Sequence, residues 1–125
     1  MLLAAVVACV GLARFAPVAA AHALLAGSQP AAGASLSHSP RRLVLTFTET
    51  PDPALSSIEL LGPAGRPVAG LSAARPVPGR PATLVVVLAR PLAAGVYTVH
   101  WRSVSAVDGH VAESSYAFGV GAAAP

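Results

Sequence analysis

Proline and glycine interrupt this chain so often that long helices cannot run through it. Twelve prolines and eleven glycines stand among 125 residues. Each proline removes a backbone donor and fixes φ, while glycine favours turns, so the punctuation is that of short strands joined by turns. The intervening segments are rich in Val, Leu, Thr and aromatics, which predicts strands at Ala23–Gly27, Leu43–Glu49, Ser57–Leu61, Val68–Leu71, Ala82–Ala89, Gly95–Ser103 and Ser115–Val120. No stretch with helical period competes with them. Pro63-Ala64-Gly65 reads as a hairpin loop and Gln29-Pro30-Ala31-Ala32-Gly33 as a longer turn. Arg-Pro pairs beginning at 66, 75, 80 and 90 mark strand ends; the segments between them differ in pattern and are not repeats.

Alternation assigns the faces. Tyr97, Val99 and Trp101 share one side of their strand, and Thr98, His100 and Arg102 share the other. The aromatic side belongs in the core, where Tyr97 and Trp101 act as filling rather than as a stacking platform. Leu43, Leu45 and Phe47 make a second inward face and Leu84, Val86 and Leu88 a third, with Val85 and Val87 suggesting a strand covered on both sides. The expected fold is all-β: a seven-stranded, antiparallel, Greek-key β-sandwich or barrel of immunoglobulin-like kind, with prolines on its edge strands.

The apolar run Leu2–Leu12, then Arg14, Pro17 and the small residues Ala19-Ala20-Ala21, reads as a signal peptide over residues 1–21. The run is shorter than the about 20 apolar residues that span a bilayer. Two rival readings are a retained anchor and a lipobox, Val6-Val7-Ala8-Cys9, that would acylate the single cysteine. Cleavage leaves residues 22–120 as one domain and 121–125 as a short flexible end. That domain has no cysteine, so a core and not disulfides must hold it, and any metal must be bound by nitrogen and oxygen. All eight basic residues are arginines, set against five acids. They are scattered along the chain, so nothing resembles a nucleic-acid stripe, and membrane or polyanion binding finds no support.

Cleavage after Ala21 would make His22 the first residue. A terminal histidine chelates one metal through its α-amine and its own Nδ1, which an internal histidine cannot do. Downstream lies Asp108-Gly109-His110. Residues i and i+2 of an extended segment point the same way, and Gly109 lets the backbone bend, so a carboxylate and an imidazole can converge. Together with His22 this offers three nitrogens and one oxygen, a set that suits one Cu(II) ion. Alone, Asp-Gly-His is most often only a turn. His100, facing outward beside Arg102, and His38, in a Ser-rich turn, read as solvated surface residues.

The start His22-Ala23-Leu24-Leu25 with Ser28-Gln29-Pro30-Ala31-Ala32-Gly33-Ala34, the strand Leu43–Glu49, the block Gly95-Val96-Tyr97-Thr98-Val99-His100-Trp101-Arg102, the segment Ser105–His110 and the strand Tyr116–Val120 resemble, in order, CopC-type periplasmic copper-binding proteins. The resemblance covers nearly all of residues 22–120. It implies a Cu(II) site at one end of the sandwich: His22 through amine and Nδ1, His110 through imidazole, Asp108 through carboxylate. Glu49 matches a glutamate that would accept a hydrogen bond from the terminal amine and orient it; it also reads as an ordinary solvated carboxylate at a strand end. Val107 is one residue more than the tighter Ser-Ala-Asp-Gly-His form, and no methionine remains after Met1 for a Cu(I) site. The resemblance implies a non-enzymatic, exported protein that sequesters copper or delivers it to a CopD-like membrane copper-transport protein. Two other classes stay open: a copper monooxygenase-like enzyme built on the same terminal chelate, and a metal-free adhesion or assembly sandwich.

Overall fold

The computed structural model describes residues 22–125; the signal-peptide reading lies outside them. Eight strands run in chain order: β1 Leu25–Gln29, β2 Ser35–Leu36, β3 Arg42–Phe47, β4 Ser57–Leu61, β5 Arg75–Val77, β6 Arg80–Val87, β7 Gly95–Val104 and β8 Val111–Val120. They form two four-stranded sheets, ordered β1-β3-β6-β5 and β2-β8-β7-β4. The chain crosses between sheets after β1, β2, β3, β4 and β6, so each sheet joins strands distant in sequence. The β-sandwich expectation holds, with eight strands and not seven.

The faces follow the pleat. Leu43, Leu45 and Phe47 from β3, Leu84 and Val86 from β6, Tyr97, Val99 and Trp101 from β7 and Phe118 from β8 are buried together between the sheets. Phe47 meets the edge of Trp101 at 5.5 Å and Tyr97 stacks on Phe118 at 5.9 Å. The Tyr97 hydroxyl donates to the carbonyl of Ala93 at 2.7 Å, which satisfies the one polar atom of an otherwise apolar ring. The outward face of β6 differs from expectation. Val85 is half-buried and Val87 is 52% exposed, so this strand is covered on one side only. Valine's β-branched stem favours the pleat whichever side it faces, and that made the run look doubly buried.

Val68–Leu71 is not a strand. The turn after β4 closes through Gly62 and Arg66, after which single bridges join Leu61 to Pro67 and Leu71 to Leu88. The partner of β6 on that side is instead β5, an edge strand carrying Pro76, where a missing N–H is tolerated. Short β2 pairs in parallel with the end of β8. β1 begins two residues later than expected, with an irregularity between Leu25 and Gly27.

One end of the sandwich gathers the start of β1, the end of β3 and the β7–β8 turn. Ala23, ahead of β1, is fully buried, and the buried hydroxyl of Ser103 on β7 donates to its carbonyl. The N-terminal segment of sheet one is thereby tied to the middle strand of sheet two.

Candidate metal centre

His22 precedes that buried anchor, and its own carbonyl is also held. The Thr48 hydroxyl, just past β3, donates to the His22 carbonyl at 2.8 Å and accepts from the Leu24 N–H at 3.0 Å. The Thr48 N–H donates to Leu24 at 2.7 Å. A segment that would fray on its own is fixed on both sides of Ala23.

The β7–β8 turn delivers the other residues. Ser105 donates its N–H to the His110 carbonyl and accepts from the Gly109 N–H, both at 2.9 Å, which closes a loop over residues 105–110. Gly109 has φ +75°, a left-handed conformation that side chains disfavour, and this bend turns Asp108 and His110 toward each other. The additional Val107 is absorbed at the loop's crown: it is 73% exposed, while its N–H donates to Ser105 Oγ at 3.1 Å.

His22 and His110 meet across the two sheets, their ring centroids 5.0 Å apart at 42°. Asp108 Oδ2 lies 2.8 Å from His110 Nδ1, and Asp108 Oδ1 accepts from the His110 N–H at 3.0 Å. The backbone N–H of His110 is the largest influence holding the Asp108 carboxyl below its usual range; partial desolvation opposes it, and the His110 ring and the Ser105 hydroxyl reinforce it. Glu49 stands at the same end, accepting from Ser105 Oγ at 3.3 Å. Ser105 is its hydrogen-bond partner.

Among the described residues no three His, Asp, Glu or Cys side chains converge on one point. The chemistry of the donor set explains why side chains alone fall short. The fourth donor expected from the sequence is the His22 nitrogen, which sits in a peptide bond to Ala21 in the unprocessed chain, and the Asp108 carboxylate is turned onto His110. Thr48 and Ser103, which grip the His22 and Ala23 carbonyls, escaped sequence reasoning. A hydroxyl that bonds to a backbone group far along the chain leaves no local pattern.

Exposed apolar side chains stand near this polar site. Leu24, Leu55, Val107 and Val111, four of the five large apolar residues exposed among the described ones, lie at this end. His100 is not simply solvated: its Nδ1 lies 2.9 Å from Ser115 Oγ and its Nε2 3.0 Å from Glu113 Oε1. His38 is exposed, as expected.

Among the described residues the chain is a small β-sandwich without helix, with a histidine pair where its two sheets meet at one end. The chain belongs to the CopC family, whose domain model matches residues 25–121. That match includes Asp108 and His110 and begins after His22. The chain is 37% identical over 100 residues to protein YobA of Escherichia coli K12, covering 80% of this chain and 79% of that protein. CopC from Methylosinus trichosporium OB3b superposes with a TM-score of 0.72 at 33% identity, covering 79% of this chain and 93% of that one. PcoC, a methionine-rich copper resistance protein from Escherichia coli, gives a TM-score of 0.70 at 32% identity, covering 80% and 99%. Unlike a methionine-rich protein, this chain has Met1 alone.

Proposed function

We propose that the processed chain is an exported, non-enzymatic protein that binds one Cu(II) ion and either sequesters it or passes it to a membrane copper-transport protein of CopD-like kind. His22 would bind through its α-amine and Nδ1, His110 through imidazole and Asp108 through carboxylate, with Glu49 orienting the amine. The carrying observation is the 5.0 Å approach of the His22 and His110 rings from opposite sheets. Two nitrogens each about 2 Å from one ion fit that spacing, and a nitrogen-oxygen set without thiolate or thioether favours the cupric state. Membership of the CopC family and likeness to a copper resistance protein support the same reading.

A transport role finds support in the exposed Leu24, Val107 and Val111 around the site, since apolar surface beside a binding site suits docking. The reading as a binder and not a catalyst supposes that Asp108 takes a coordination position, and it is supported by the burial of Phe47, Tyr97, Trp101 and Phe118. That burial leaves no exposed aromatic platform of these four for a polysaccharide.

The decisive experiment compares Cu(II) titration of the processed chain with a version bearing Met-Ala before His22. The extension converts the amine to an amide and should cost orders of magnitude in affinity; equal affinities would refute the terminal chelate.

A further inference from the structure

Scattered arginines argued against an anionic partner at the level of sequence, but the fold gathers three of them at the end opposite the histidines. Arg41 and Arg90 line one concavity of about 370 Å³ together with Val87. Arg41 and Arg42 line an adjoining one of about 510 Å³ together with His38. Arg42 pairs with Val87 across β3 and β6, and the Leu88 N–H donates to the Arg41 carbonyl at 2.9 Å, so the loop and both strand ends form one surface. All three guanidinium-bearing residues are exposed.

No acidic side chain among the described residues forms an ion pair with them. Among the described residues the ion pairs are His100–Glu113 and His110–Asp108, and neither involves an arginine. Glu49, Asp52 and Asp108 lie at the histidine end, while Glu59 and Glu113 sit on β4 and β8 away from the patch. Val87, 52% exposed, is the fifth large apolar residue on the described surface and the one found at this end.

We propose that this basic end is a peripheral binding site for the anionic headgroup layer of a lipid bilayer. Guanidinium groups pair with phosphate in a bidentate fashion, and a cluster of them beside an anionic leaflet gains attraction from each charge. The arginines spread over two adjoining open concavities and do not converge on one point, and an exposed valine stands beside them. Many phosphates over an apolar interior fit that arrangement; one free phosphate does not. The β7 strand of ten residues spans the sandwich, roughly 30 Å at about 3.3 Å per residue, so the bound protein would hold its histidine end toward the aqueous side. The inference is independent of the copper reading.

The test uses residues 22–125 without copper, co-sedimented at low salt with phosphatidylcholine vesicles with and without phosphatidylglycerol. Binding should require phosphatidylglycerol and fade as salt is raised. The triple variant Arg41→Ser/Arg42→Ser/Arg90→Ser should lose about a hundredfold in partitioning, given about fivefold for each guanidinium near the surface. Arg75→Ser/Arg80→Ser, which lowers net charge outside the patch, should lose no more than a few-fold. Circular dichroism verifies that each variant is folded, and Val87→Ser, which leaves every charge in place, should weaken binding in part. Absence of binding, equal loss in both arginine variants, or complete displacement by millimolar inorganic phosphate at constant ionic strength would overturn the proposal.

Discussion

Asp108 illustrates how one residue's hydrogen bonds become a measurable property. Its carboxyl is held below the ordinary range, first by the His110 backbone N–H and then by the His110 ring and Ser105. A carboxylate whose folded pKa is depressed contributes stability that is present above its unfolded value of about 3.9 and lost as pH falls through the folded value. In copper-free melts, the difference in Tm between the native chain and Asp108→Asn should therefore stay level above about pH 5 and shrink as pH falls below about 4. A difference that persists unchanged to the acid limit of folding would show that the charged form gains nothing from those contacts. The same geometry allows Asp108 to act by fixing the tautomer of His110 instead of binding the ion itself, as carboxylates behind ligating histidines do. Loss of an oxygen donor from the Cu(II) EPR spectrum of Asp108→Asn would assign direct binding, and an unchanged donor set would assign positioning.

At the scale of elements, β7 does most to place the site, through Ser103 and not through any ligand. Its hydroxyl is buried and donates to the Ala23 carbonyl, one residue from His22 and in the segment that feeds the opposite sheet. Ser103→Ala leaves that buried carbonyl unpaired and should cost about 1–3 kcal/mol in chemical denaturation. Copper affinity should fall with it, because His22 loses one of the grips that order it; unchanged stability and affinity would mean that Thr48 suffices. The strands β3, β6 and β7 were readable in sequence because alternation over several residues reports which side meets the core, and Leu43, Leu45, Phe47, Tyr97, Val99 and Trp101 all lie where that pattern puts them, whereas β8 was read only from Ser115 and in fact begins at Val111. β2 and β5 were not, since two or three residues carry no period and Pro76 argues against a strand unless its edge position is known. Val68–Leu71 misled for the complementary reason: its residues pack against the core without a ladder. His22, Asp108 and His110 could be singled out in sequence from a cleavage pattern and a tripeptide, and the structure sets His22 and Asp108 each beside His110. Thr48 and Ser103 could not, because their partners are supplied only by the fold.

For the molecule as a whole, the position of the histidines means that a bound ion would act as a staple. His22 leads into β1 of one sheet and His110 into β8 of the other, and no strand pairing joins those two elements. An ion bound only by the native state stabilises it by about 2.7 kcal/mol when free ligand exceeds Kd a hundredfold. For a domain of this length about 1 kcal/mol moves Tm by roughly 4–8 °C, so saturating Cu(II) should raise Tm by about 10–20 °C. Because the ion ties the sheets at one end, protection from hydrogen exchange should rise most for Leu24, for residues 105–111 and for the first residues of β1. It should rise least around Gly95 and Val120 at the far end. The Met-Ala extension ahead of His22 converts the amine to an amide while leaving the Thr48 and Ser103 contacts in place, and it should abolish both effects together. A copper-independent Tm in the processed chain would instead favour a sandwich that uses Asp108-Gly109-His110 only as a turn, since a ligand that binds the native state must shift its melting.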